Sequence, residues 1–580
     1  MTVALVLAAE ADAGLRGQLA ALGVGRVDAA GQTGPGLLTV AAAARAARER
    51  MLICVGDDII PEGILARLLG APGTAAFTGG RAPEPRPAPD DADQPRPEAR
   101  AAGGALVVDT DDLAALAGAA ELLAATQAAP AAVGALLGEL TRAGVRVRVL
   151  DAGPDGDGVI AALIDPVARD LARWAATRDL TPAALAGISL GLGLLSAVWF
   201  AEPTVKARLL ASLILLAAFT AGRSGAHLAA VGRIRPAADW LAAASGLVTE
   251  FAVYAALAIS AGLIVPGRPA GLNGIFGGAL RHSAVASFGG AGQPGVWRLA
   301  VAALLLLGAR RLAELCYEGL ARASGHMFPR PARRLFGQVI TLPAGERYAV
   351  IAITAVCFGP RLTFDVLLAW SVVAAVYVLI GLVASAGQLT RVGGVLTAYR
   401  GDGAVARRLG RAALGLLPPL PPLLVGLLVT CDLALLGLAN LPGILVLAPV
   451  MAMLLAGLGA RNPHDGRLDW LVPPLLLTGE GVFLAALGFS RHVWLPVVFA
   501  VLAAVVLRHM DLAYRARSGL GVRQDRFGLG WDGRMLLASL AAVGGFVPFG
   551  YALLAVYLWL LAGWDFLSAW LKSLAGPRRP

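Results

Sequence analysis

The sequence predicts an α/β N-terminal domain joined to an all-α polytopic membrane region of about twelve transmembrane helices in two six-helix halves. Three observations lead there. First, 57% of the 580 residues are hydrophobic and only 15% charged, with mean hydropathy +0.70, whereas a soluble domain carries about a quarter charged residues. Second, the apolar residues are unevenly shared: 1–165 reads as water-soluble, and 183–573 is one long apolar run after another. Third, landmark residues of the first membrane half return in the same order in the second.

Taken in order, Val3–Ala8 reads as a strand, 14–22 as a helix, and Met51–Val55 as a strand ending in Gly56-Asp57-Asp58. Ala105–Asp109 is another strand, followed by helices over 111–126 and 130–143 and a strand over Val145–Leu150. This alternation argues for a largely parallel sheet. The Pro-rich stretch 80–104 cannot pack a core and reads as an insertion. The opening Met1–Glu10 is too short and too soon acidic for a signal peptide, and reads as the first strand.

Residues 167–177 form an amphipathic segment with Arg169, Asp170, Arg173 and Trp174, suited to a membrane interface. Apolar runs follow near 183–201, 207–222, 241–265, 295–312, 348–359 and 366–386. A second set lies near 419–438, 440–459, 470–490, 493–507, 535–549 and 551–571. Twelve crossings with both termini cytoplasmic put the Arg-rich loops on one side, as the positive-inside bias requires. The balance of +10, 49 Lys plus Arg against 39 Asp plus Glu, is therefore a topological signal. No recognition-helix pattern or aromatic-interleaved basic patch points to nucleic acid. The four cysteines stand apart and read as small buried hydrophobes.

Two segments carry resemblances. A strand ending Leu7-Ala8-Ala9, with a later strand ending Gly56-Asp57 and a helix from Pro61, resembles nucleotidyltransferases of the sugar- or alditol-phosphate type. Those enzymes place a Gly-rich, Arg-bearing turn after the first strand and hold Mg²⁺ with the later Asp. Here Glu10-Ala-Asp12-Ala-Gly14 occupies the turn, where carboxylates repel phosphate, and Asp57 remains as a vestigial ligand that also suits a helix N-cap.

Over residues 165–390, Leu180-Thr-Pro182 leading into Gly187–Leu194, a second helix, a basic loop and Val248-Thr-Glu250–Leu257 resembles the CDP-alcohol phosphatidyltransferase family. The resemblance implies six transmembrane helices, a homodimer, and transfer of a phospho-alcohol from a CDP carrier to a hydroxyl with release of CMP. It also implies four Asp in DxxDGxxAR…GxxxDxxxD binding two Mg²⁺ or Mn²⁺ ions. Anchored on Glu250, those four positions fall on Ala221, Ser224, Ala242 and Gly246. One hydroxyl and apolar side chains do not hold divalent metal, so no intact catalytic set, metal site or cofactor is expected.

The second half reads as a degenerate copy. Asp239-Trp-Leu241, Glu250, Ala255-Ala-Leu257 and Ser260 correspond to Asp469-Trp-Leu471, Glu480, Ala485-Ala-Leu487 and Ser490 at one offset. Arg311–Tyr317 parallels Arg508–Tyr514, and Glu346-Arg347 parallels Asp532-Gly-Arg534. This half also resembles an uncharacterised C-terminal domain fused to family members. The domain expectation is 1–165, 166–390 and 391–580. Glu250, Asp432 and Glu480 lie inside apolar runs, where an unpaired carboxylate costs about 2.5–3.5 kcal/mol. Arg311 and Arg508 are the candidate partners of Glu250 and Glu480, and packing is favoured over a proton relay. His464, Asp465 and Asp469 form a candidate loop cluster, read first as a solvated turn and second as a metal site.

The function that the resemblance and its missing carboxylates imply is that of a bilayer-embedded pseudoenzyme with a binding or accessory role in lipid or envelope metabolism, its ligand a lipid or nucleotide-like group. Two alternatives stay open: an active headgroup transferase using Asp465, Asp469 and Glu480, and a twelve-helix carrier built from repeats.

Overall fold

The computed structural model describes six short strands within the first 149 residues. Beyond them it describes residues 158–178, 180–231, 236–263, 294–323, 340–386, 396–414, 417–435, 443–462, 464, 466–518 and 528–574. The chain divides into two compact units, Met1–Asp155 with His227–Ile234, and Gly156–Ala226 with Arg235–Pro580.

In the first unit β1 (Thr2–Leu7), β2 (Arg26–Ala29), β3 (Arg50–Val55), β4 (Ala75–Phe77), β5 (Gly104–Val108) and β6 (Arg148–Val149) form one sheet in the order β2-β1-β3-β5-β4-β6. β1 runs parallel to β2 and β3, and β4 parallel to β6, but β5 opposes both its neighbours. The sheet is thus mixed rather than largely parallel. The four strands read from sequence are present, within a few residues at their ends. β2 and β4, only four and three residues long, were too short to give a periodic signal. The helices expected over 14–22, 111–126 and 130–143, the Pro-rich insertion and Asp57 lie outside the described residues.

The described residues from 158 onward are mainly helical. In chain order come α1 (Val159–Ala176), α2 (Pro182–Ala201), α3 (Val205–Val231), α4 (Pro236–Leu263), α5 (Pro294–Ala323), α6 (Ala344–Cys357) and α7 (Pro360–Ser385). Then follow α8 (Ala404–Ala412), α9 (Leu420–Leu435), α10 (Leu447–Leu454), α11 (Val472–Ser490), α12 (Leu495–Ser518), α13 (Gly530–Val543) and α14 (Val547–Leu574). Local signals set many of the boundaries. Thr181 caps α2 by accepting the Ala184 N–H at 3.1 Å, with Pro182 in the first turn. Gly359, at φ +100°, and Pro360 separate α6 from α7.

Seven described helices are long and apolar enough to cross a bilayer: α2, α3, α4, α7, α11 with the turn before it, α12 and α14. The segments 420–434 and 444–459 are shorter apolar helices. Among the described residues seven helices rather than twelve have this length and apolarity, and charges set the limit in three of the others. In α5 the uncharged stretch from Leu299 to Ala309 is closed by Arg298 and Arg310, and α6 and α13 are 14 residues each, with an acid and an arginine in the first turns. The span windows of α11 and α12 are 72% buried and those of α7 and α14 only 17%. The former pair forms the centre and the latter the lipid-facing flank.

The halves follow one plan. α2 packs on α4 as α9 packs on α11, α6 on α7 as α13 on α14, and α1 on α6 as α8 on α13. Close approach uses small residues: a Cβ on Gly193 of α2 would collide with Thr249 of α4.

Candidate functional site

Each half is organised around a buried carboxylate in its third apolar helix. In α4, Glu250 accepts two bonds from Arg347, at 2.7 and 3.0 Å, and one from the Tyr254 hydroxyl at 2.9 Å. In α11, Glu480 accepts two from Arg534, at 2.6 and 2.8 Å, and lies 3.0 Å from His509 Nε2. Both arginines are anchored to a backbone carbonyl just upstream, Arg347 to Leu342 and Arg534 to Gly528. Five residues before each arginine stands a leucine in the left-handed region, Leu342 at φ 46° and Leu529 at φ 63°. A carboxylate with a bidentate guanidinium and a third donor is electrostatically satisfied, so both pairs hold helices together.

The acids beside these arginines act alike. Glu346 accepts the backbone N–H of Ile160 in the first turn of α1. Asp532 accepts those of Gly403, Val405 and Ala406 at the start of α8. Each thereby satisfies orphan donors of an amphipathic helix that precedes its half.

The expected pairing of Glu250 with Arg311, and of Glu480 with Arg508, gives way to a nearer partner in each case. Arg310 and Arg311 reach Glu314, three to four residues along the same helix, at 3.0 and 3.4 Å. Arg508 meets Asp565 at 2.6 Å and Asp511 at 3.3 Å. Asp511 also accepts the Trp240 indole at 2.6 Å and Arg515 at 2.7 Å, joining α4 to α12. Asp432 has an exposed side chain near the end of α9 and no partner among the described residues.

At the four positions where the resemblance puts carboxylates, Ala221 and Ser224 are buried, and the Ser224 hydroxyl donates to the Thr220 carbonyl at 2.8 Å. Ala242 is exposed, and Gly246 offers only its carbonyl, 3.4 Å from the Tyr348 hydroxyl. Arg223, between the first two positions, is held by Asp165 of α1 at 2.7–3.0 Å. These residues do not fit a two-metal centre, which needs several free anionic oxygens.

The loop cluster does not converge either. His464 Nε2 faces Arg400 at 3.2 Å, and its Nδ1 lies 2.6 Å from the Asn462 carbonyl. Burial, then the Arg400 charge, pushes its pKa below the ordinary value. Asp469 accepts the Gly466 N–H at 2.8 Å, closing its own turn, and Asp465 lies outside the described residues. Among the described residues no three His, Cys, Asp or Glu side chains could share a metal ion. Sequence reasoning missed the roles of Asp165, His509, Asp532 and the chain Arg400–Asp402–Trp531, with bonds of 2.8 Å on either side of Asp402. The pairing of Glu346-Arg347 with Asp532-Gly-Arg534 was the one signal that pointed to it.

These features define an α-helical integral membrane protein in which Glu250 and Glu480, both buried, are each paired with an arginine. Within it, residues 390–577 match the sequence model of a family of unknown function (DUF5941). No curated protein matches the chain.

Proposed function

We propose that this protein is a duplicated, non-catalytic relative of the CDP-alcohol phosphatidyltransferases. It has twelve crossings in two halves and acts in lipid or envelope metabolism by binding rather than by group transfer. The observation that carries the reading is the charge arrangement common to both halves. A glutamate of the third crossing is closed by an arginine of the fifth, while no carboxylate stands at Ala221, Ser224, Ala242 or Gly246. Such pairs fix helix positions without metal, and they occupy the carboxylates of Glu250 and Glu480. The alternative that recruits Glu480 to chemistry is disfavoured by Arg534 and His509, which occupy its oxygens.

The duplication is supported by helix order. α1 to α7 and α8 to α14 correspond one to one, including the short α6 and α13 and the lipid-facing α7 and α14. In the N-terminal unit, Leu7 and Val55 are register partners, so the two strands that lead into the nucleotidyltransferase-like segments end side by side. That agrees with a vestigial nucleotide domain.

The test is a transfer assay on the full chain in proteoliposomes, with radiolabelled CDP-diacylglycerol, glycerol phosphate or inositol as acceptor, and Mg²⁺ or Mn²⁺. CMP release should equal that of protein-free vesicles. Protein-dependent release that is lost on Asp469→Ala or Glu480→Gln would overturn the proposal.

A further inference from the structure

We infer that α8 and the turn after α10 form a binding site for the phosphate headgroups of anionic phospholipids. The site consists of Arg407, Arg408 and Arg411 on α8 and Arg461 beside it. The buried face of α8 is Ala406 and Gly410, one turn apart. A Cβ at Gly410 would meet Ala460 and the Arg461 backbone at 2.9 and 3.1 Å, and Ala406 lies against Gly457. With that face closed, Arg407, Arg408 and Arg411 project on the remaining surface at helical spacings of three and four, and Arg461 follows directly on the residue that Gly410 touches. Arg408, Arg411 and Arg461 are exposed and Arg407 is half-buried.

Among the described residues none of the four has a carboxylate partner, and residues 403–414 contain no acid. The nearby Asp402 and Asp532 are already engaged, by Arg400 and Trp531 and by the α8 backbone. Leu414 and Leu417, 71% and 43% exposed, continue from the helix end and supply the apolar contact of an interfacial helix.

The first half provides the contrast. Its counterpart α1 also carries arginines, but Arg173 is bonded to Asp170 at 2.9 Å, and Asp165 is present to hold Arg223. Orientation by positive loops acts on both halves alike, so it does not account for the difference between α8 and α1 among the described residues. Four guanidiniums beside exposed leucines match a lipid that offers phosphate at headgroup depth and acyl chain below it.

The experiment uses the purified full chain and native mass spectrometry, with phosphatidylglycerol titrated against phosphatidylcholine. Phosphatidylglycerol should be retained selectively. The Arg408→Gln, Arg411→Gln, Arg461→Gln triple variant should bind it about 100-fold more weakly, at roughly fivefold per basic residue. The same three positions as lysine should stay within about threefold, because charge rather than fork geometry dominates at a fluid surface. Arg169→Gln with Arg173→Gln should change nothing. If the triple variant does not fold, Arg411→Gln alone decides, with its expected loss of about fivefold. Unchanged retention in the glutamine variants, equal retention of the zwitterionic lipid, or displacement by millimolar glycerol phosphate would each overturn the inference.

Discussion

Replacing Arg534 with methionine removes both guanidinium bonds from Glu480, a residue with no exposed surface, and leaves His509 at 3.0 Å as its remaining side-chain partner. Breaking a buried pair from one side costs about 3–5 kcal/mol, and the retained bond offsets about 1 kcal/mol of that. The expected loss is therefore about 2–4 kcal/mol. Arg347→Met should cost the same, because Glu250 likewise keeps a single donor, Tyr254. The decisive quantity is the coupling. In a Glu480→Gln background the carboxylate charge is gone, so Arg534→Met should add only about 1 kcal/mol, giving an interaction energy of about 1–3 kcal/mol. Across halves, Arg347→Met and Arg534→Met should be additive, since the two pairs share no partner. Equilibrium unfolding in mixed micelles, followed by tryptophan fluorescence, measures all four corners of each cycle. An Arg534→Met cost that is the same in the parent and in the Glu480→Gln background would sink the reasoning, because the arginine would then act through something other than this pair.

Four further outcomes follow from the same geometry. Asp532→Ala orphans three N–H groups at the start of α8 and should cost about 2–4 kcal/mol, with hydrogen exchange accelerated at Gly403, Val405 and Ala406 and little changed in α11. His464 has a folded pKa below its ordinary 6.5, so the unfolded chain takes up the proton first. Its contribution is complete above about pH 6.5 and declines as pH falls toward the folded value. Thermal midpoints between pH 8 and 5 should therefore drop less in His464→Gln than in the parent. Gly193→Val pushes a side chain into Thr249 and should destabilise by about 1–3 kcal/mol, whereas Asp432→Asn, on an exposed face, should shift stability by under about 0.5 kcal/mol.

How much of this was legible varied with the range of the interaction. Helices such as α2 and α7 announce themselves through apolar length and Thr-Pro or Gly-Pro boundaries, all local signals. The paired glutamates were visible as charges out of place in apolar runs. Their partners were not, because Arg347 is 97 residues from Glu250 and Arg534 is 54 from Glu480. A sequence shows Arg311 and Arg508 on the next helix just as readily, and only the depth of each side chain separates them. Asp532 was harder still, since it serves backbone N–H groups 126 to 129 residues away, and those leave no mark in composition. Only the internal correspondence between halves carried long-range information, by setting Arg347 beside Arg534 before either partner was known.

That correspondence extends to how the halves meet. α5 packs on its own counterpart α12, and α5 touches α11 as α12 touches α4. Exchanging the halves therefore maps this set of contacts onto itself, the property of an isologous interface. The packing is close: a Cβ on Gly308 of α5 would meet Val506 of α12 at 2.7 Å, Gly481 of α11 lies against Leu305, and Trp297 stands edge-on to Phe499 at 5.8 Å. A surface complementary to itself drives two copies together when it sits on separate chains. On the proposed duplication both copies share one chain, and tethering should fill the interface internally ahead of any second molecule. The homodimer implied by the family resemblance should accordingly be replaced by a single chain with internal pseudo-two-fold symmetry. Single-molecule photobleaching of the labelled protein in large nanodiscs should give one step per particle. Two steps that persist on lipid dilution would show that a self-complementary face remains outside α4, α5, α11 and α12.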